Sequence, residues 1–160
     1  MKVPIGLKRV AAMCVLQHQD KFLLLKRAKE PNKGMYVPVG GKLEPFENQI
    51  DACLRETFEE TGIQLSSAKF CGTLIETSPT KYNWISYIYL AQIEEQAPPY
   101  CDEGVLEWIN IKDLLSVATP PTDLAIYKYI LEKKPFAFSA DSDADLKMIR
   151  LIEEIEGVQI

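Results

Sequence analysis

The chain has 160 residues, 47% of them hydrophobic, enough for a real core and too many for disorder. A formal charge of −5 argues against a nucleic-acid polymer as partner, since such partners usually meet a basic face, but leaves open single nucleotides held through metal ions. The opening MKVPIGLKRV has no long apolar run after its charges, and no stretch nears the ~20 apolar residues of a membrane span, so neither a signal peptide nor a membrane anchor is expected.

The length suits one domain covering 1–160. RVAAMCVLQ and KFLLLKR, joined by HQD, predict a buried β-hairpin. AKEPNKGMYVPVGG, rich in Gly and Pro, predicts a loop. A helix is expected over Glu47 to Thr61, stopped by Gly62. AKFCGTLIETS and YNWISYIYLAQI predict two long strands turning at PTKYN. EEQAPPYCDEG is an acidic, Pro-rich loop, and LEWINIKDLL a short strand entering a helix. PPTDLAIYKYILEKK predicts a helix, with two prolines and a Thr cap leading Leu124, Tyr127 and Leu131 at helical spacing. In FAFSADSDADLKMIRLIEEI the first part alternates like a strand, and the second fits strand or helix. The mixed order of elements gives an α/β or α+β class. Cys14, Cys53, Cys71 and Cys101 show no C-x-x-C pair and no zinc spacing, and His18 is the sole histidine. They are expected to be reduced, mostly buried thiols of a cytoplasmic protein.

The stretch GGKLEPFENQIDACLRETFEETGI, Gly40 to Ile63, carries the chemistry. At about 100° per residue, Cys53, Leu54, Thr57 and Thr61 fall near Ile50 and form a core face. Ala52, Glu56, Glu59 and Glu60 form a separate stripe, with Arg55 and Asp51 between the two. Carboxylate oxygens roughly 5 Å apart repel by about 3 kcal/mol per pair at an effective dielectric of ~20. The acids must therefore point into water, take up protons or hold divalent cations, and clustered hard oxygens suit Mg²⁺ or Mn²⁺. A solvated helix face is the bland alternative. The context favours a site: Gly40-Gly41 lets backbone approach a ligand, Lys42 follows at once, and Glu47 stands at the helix start. Arg55, i,i+4 from Asp51 and Glu59, is placed to orient a carboxylate.

This stretch resembles the Nudix box, G-x5-E-x7-R-E-U-x-E-E-x-G-U with U a bulky aliphatic. Gly41, Glu47, Arg55-Glu56, Glu59-Glu60, Gly62 and Ile63 match it. Thr57 stands at the first U; close to Val in shape, it should still pack inward and bond a carbonyl one turn back. LLLKR, GMYVPVGGKLEP and EGVLEWINIKDLL also look like Nudix hydrolases of the MutT type, over roughly residues 8–135.

The resemblance implies an α/β/α sandwich with a mixed sheet and the box as loop–helix–loop. It implies that the Gly40 carbonyl and Glu56, Glu59 and Glu60 bind Mg²⁺ or Mn²⁺, braced by Gly41, Glu47 and Arg55. Glu103 supplies a later carboxylate, with Asp102 as fallback. Either Glu56 or Glu103 would serve as general base. Arg27 and Lys42 would meet the phosphates, Tyr36 would line a base pocket, and Asp123 would read a base edge. Val37 stands where some purine-specific relatives carry a polar base contact, a departure that weakens the purine case. The implied activity is Mg²⁺-dependent hydrolysis of a nucleoside diphosphate linked to X, favouring an oxidised purine nucleoside triphosphate cut to monophosphate and pyrophosphate. The alternatives are ADP-ribose or another nucleoside diphosphate sugar, although the extra N-terminal strands of dimeric ADP-ribose members are not seen, and a non-catalytic nucleotide-binding module, which would usually have lost box glutamates. A monomer or small homo-oligomer is expected.

Overall fold

The computed structural model describes residues 2–160. Strands β1 (Arg9–His18) and β2 (Lys21–Arg27) form the expected hairpin, Leu16 opposite Leu23, with Gln19 at φ 52 in the turn. The glycine-rich loop leads into two short strands, β3 (Tyr36–Val37) on β2 and β4 (Val39–Lys42) on β1. Helix α1 (Gln49–Thr61) follows, then β5 (Lys69–Thr77), β6 (Trp84–Gln92), β7 (Tyr100–Cys101) and β8 (Gly104–Asn110). A 3₁₀ helix (Ile111–Ser116), α2 (Pro121–Leu131), β9 (Phe136–Ser142), β10 (Met148–Glu153) and β11 (Val158–Gln159) complete the chain.

The strands join one mixed sheet in the order β11-β10-β9-β5-β6-β1-β2-β8-β7. β1–β6 and β5–β9 run parallel, and the other pairs antiparallel. Because side chains alternate along a strand, Phe22 and Leu24 enter the core with α2's Ile126, Tyr127 and Ile130. Leu23 and Leu25 enter the opposite core with α1's Ala52 and Cys53. The result is a helix–sheet–helix sandwich. Among the described residues no helix is long and apolar enough to cross a membrane.

Several expectations are corrected. The helix begins at Gln49 rather than Glu47, because Asn48 is the cap: its Oδ1 accepts from the Asp51 N–H at 3.0 Å. Thr122 does not cap α2; that position is Pro120, and Thr122 is buried inside the first turn. The inward face of α2 is Asp123, Ile126, Tyr127 and Ile130, leaving Leu131 exposed. The helix expected after β8 is present and is of the 3₁₀ type. The ambiguous tail resolves as strand because β10 pairs with β9, Leu151 opposite Ala140. Cys14, Cys53 and Cys101 are buried, Cys71 partly so, and all four are free thiols.

Candidate active site

Helix α1 buries Cys53, Thr57 and Thr61 as the periodicity suggests, but its inward arc is wider than expected. Ala52 is fully buried, and Glu56 and Glu60 turn inward beside β4 rather than forming a separate outer stripe; only Glu59 is largely exposed. The two glycines make this possible. A Cβ on Gly41 would lie 2.5 Å from Glu56 Cδ, so the carboxylate occupies the space a side chain would fill. A Cβ on Gly40 would lie 2.3 Å from the Ala12 carbonyl oxygen. The Gly40 N–H instead donates to Glu60 Oε2 at 3.0 Å, fastening helix to strand. The Thr57 hydroxyl is buried and donates to the Cys53 carbonyl at 2.8 Å, as its place in the motif leads one to expect. The helix ends at Gly62, at φ 73, whose N–H returns to Phe58 O at 2.7 Å.

Arg55 ties the site together. Its Nε and Nη2 donate to the two oxygens of Glu47 at 2.7 and 2.8 Å, a bidentate pair. Nη1 donates to Glu56 Oε1 at 2.8 Å and to Glu59 Oε2 at 3.2 Å, and Nη2 also reaches the Lys42 carbonyl at 3.0 Å. These hydrogen bonds hold the Glu47 carboxyl at a pKa of about 2 and push that of Arg55 still higher. Glu47 thus serves Arg55 and the Glu44 N–H, not the helix N-terminus. Glu60 is pushed up to about 7, first by burial, against the Gly40 hydrogen bond, with further raising by Glu56 and Glu103.

A cleft of about 400 Å³ brings together Glu56, Glu60, Glu103, Arg27, Lys42, Gly40, Gly41 and, farther along, Asp123. Arg27 Nε is anchored on the Pro31 carbonyl at 2.7 Å. Glu103 is partly exposed, its Oε1 3.9 Å from Lys29 Nζ, and Asp102 is exposed and outside the cleft lining. Tyr36 is also outside the lining: its hydroxyl donates to Glu107 Oε2 at 2.8 Å and its ring packs on the α2-side core. Val37 lines the cleft. A second hollow of about 440 Å³, between β5, β6 and the end of α2, holds three lysines and none of these acids.

Among the described residues no three His, Cys, Asp or Glu side chains converge as a ready-formed metal cage. The donor chemistry nevertheless suits a hard dication. Glu56, Glu59 and Glu60 each keep one oxygen without a protein donor, and Glu60 is a buried carboxyl crowded by like charge, which a cation would relieve.

The cleft also contains residues the sequence reading passed over: Glu76, Tyr82, Trp84 and Ser86. Glu76, a lone acid in the alternation of β5, was the available signal, but its face is defined only by the register with β6, where it sits opposite Trp84.

The NUDIX domain model matches residues 7–132, and the chain belongs to that family. It is 30% identical over 124 residues to the uncharacterized Nudix hydrolase YvcI of Bacillus subtilis, covering 74% of this chain and 77% of that one. It is 26% identical over 115 residues to the bovine (Bos taurus) diphosphoinositol polyphosphate phosphohydrolase 3-beta, covering 69% and 68%. The fold matches the crystal structure of a MutT protein from Bacillus halodurans with a TM-score of 0.81 at 23% identity, over 92% of this chain and 98% of that one. The chain is an enzyme, a Nudix pyrophosphohydrolase.

Proposed function

We propose that the enzyme hydrolyses a nucleoside diphosphate linked to X, favouring a purine nucleoside triphosphate, oxidised purines included, and releasing monophosphate and pyrophosphate. The observation that carries this reading is the single cleft with carboxylates and two cations at one end and Asp123 at the other. Glu56, Glu59, Glu60, Glu103 and the Gly40 carbonyl would hold Mg²⁺ or Mn²⁺, with Gly41, Glu47 and Arg55 fixing their positions. Such an ion supplies positive charge to the bridging diphosphate when bound. Arg27 and Lys42 bind the phosphate oxygens. Glu56 or Glu103 accepts the proton of the attacking water. Asp123, 4% exposed at the start of α2, contacts the base. Tyr36, tied to Glu107, acts at most indirectly.

The test is phosphate release in the presence of added inorganic pyrophosphatase, with and without Mg²⁺. The panel contains 8-oxo-dGTP, the common nucleoside triphosphates, ADP-ribose, diadenosine polyphosphates and a diphosphoinositol polyphosphate. Preferential cleavage of a purine triphosphate supports the reading; turnover of ADP-ribose or the inositol compound alone overturns it. Glu60→Gln, whose amide oxygen can still accept from Gly40, should fold normally and lose at least ~10²-fold in kcat. Near-normal turnover would remove Glu60 from the chemistry.

A further inference from the structure

One wall of the cleft is built by three neighbouring strands. β5 contributes Leu74 and Glu76, β6 contributes Trp84 and Ser86, and β1 contributes Ala11 and Met13. Register puts Glu76 opposite Trp84, Leu74 opposite Ser86, and Ser86 beside Ala11, so these side chains share one face. They make a floor that is small or apolar, bounded by one indole and one acid. Arg9 lies over the Trp84 ring, its Cζ 4.1 Å from the centroid, and Tyr82 meets the same ring edge-on at 6.2 Å. The loop carrying Tyr82 is fixed: the Ser78 hydroxyl donates to the Tyr82 carbonyl at 2.8 Å, and the Tyr82 N–H donates to Thr80 Oγ1 at 3.0 Å.

Asp123 joins this wall from α2. It is 4% exposed, it lines the cleft, and its carboxyl accepts no hydrogen bond among the described residues. A buried, unpartnered polar group is costly unless something arrives to satisfy it. Nearby cations are otherwise engaged. Lys8 Nζ donates to the Glu76 carbonyl at 3.1 Å and to Thr77 Oγ1 at 2.7 Å, and Arg9 is on Trp84.

We infer that Glu76 is a second specificity-determining residue which, with Asp123, binds the hydrogen-bonding edge of a flat uncharged ring, a guanine-type base, lying on the Leu74–Ser86 floor beside Trp84. This rests on the nucleotide reading above and names the base it selects. A phosphorylated or otherwise anionic group placed against Glu76 and Asp123 would meet two acids. A guanine edge offers adjacent ring and exocyclic N–H donors next to a carbonyl acceptor. Each carboxyl accepts from an N–H in either protonation state and, when protonated, also donates to the carbonyl. Burial favours the protonated form: it pushes Glu76 up to about 7, and it raises Asp123 well above the usual carboxylate range with Glu76 adding to the rise.

The test compares kcat/KM of the full chain for GTP, ATP, CTP and UTP with Mg²⁺, for wild type, Glu76→Leu and Glu76→Gln. The wild type should prefer GTP. Glu76→Leu should lower kcat/KM for GTP by about 10- to 100-fold, mostly through KM, and compress its ratio to the pyrimidine nucleotides. Glu76→Gln should fall between the two. Melting temperature separates this from a structural role: the partly buried Glu76 carboxyl has the Tyr82 side chain as its hydrogen-bond partner, and Glu76→Gln, which can keep that bond, should leave Tm within about 2 °C, whereas a structural acid would lose more in both variants. An equal loss on all four nucleotides, or an unchanged ratio, overturns the role of Glu76 while sparing the nucleotide reading. A wild type that cleaves none of the four, and not 8-oxo-dGTP either, overturns both.

Discussion

Gly41→Ala should separate activity from stability. The added Cβ would stand 2.5 Å from Glu56 Cδ and 2.6 Å from both Glu56 oxygens. Carbon atoms in favourable contact sit about 3.5–4.0 Å apart, so the carboxylate must retreat by about 1 Å. The colliding atoms end a rotatable side chain, and Gly41 does not have a left-handed backbone, so β4 can stay in place. An off-rotamer Glu56 costs about 0.5–1.5 kcal/mol, partly offset by the ~0.5–1 kcal/mol that Ala gains over Gly in a strand. The net change stays within about 1 kcal/mol, or about 2–4 °C in Tm for a chain of this size. Displacing a catalytic group by 1 Å can cost ~10²-fold in rate. The assay pairs calorimetry with Mg²⁺-dependent hydrolysis of the best substrate. The expected result is a near-native melt with kcat down by about 10²-fold. A variant within threefold of wild type, or one that has lost more than about 10 °C, would refute the claim that Gly41 exists to make room for Glu56.

Two other outcomes follow from the same structure. Glu47 has its folded pKa lowered from 4.5 to about 2, so it contributes stability above the unfolded value that is lost as pH falls through about 2. After allowing for solvent screening this is about 1–2 kcal/mol. Glu47→Gln should therefore flatten the fall in Tm between pH 4.5 and pH 2; an unchanged profile would show that the pair with Arg55 contributes nothing. Glu153, 1% exposed, accepts from the N–H groups of Ala137, Ile155 and Glu156. Glu153→Ala strands three donors and should cost about 2–4 kcal/mol by denaturant titration, with kcat within about twofold at a permissive temperature.

The elements themselves were largely legible in the sequence, because alternation in β1, β2, β5 and β6 and the stop at Gly62 are local signals. The burial of the Ala52, Glu56 and Glu60 side of α1 was not. A helical wheel assumes that polar side chains face water, yet Glu56 and Glu60 face a strand whose glycines make room for them. The motif fixed the identity of the acids and of Arg55, but not that Arg55 would grip Glu47 rather than Asp51. Tyr36 looked placed for a ligand by its distance from the glycines, but the pairing of β3 with β2 brings its hydroxyl to Glu107. Glu76 and Trp84 were legible as strand residues only. Their common face depends on a register across three strands distant in the chain, which one-dimensional pattern cannot supply.

The family match ends at residue 132, four positions before β9 begins. Yet β9 lies directly against β5, with Ala140 level with Glu76 and Phe138 level with Leu74. Without β9, β5 would be a bare margin of the sheet, its outer amides open to water and its acid free to drift. The tail beyond the matched domain therefore covers the outer edge of the strand that carries Glu76. If Glu76 selects the base as proposed, substitutions in β9 should shift nucleotide preference more than turnover, because α1 and its acids lie on the far side of β6 and β1.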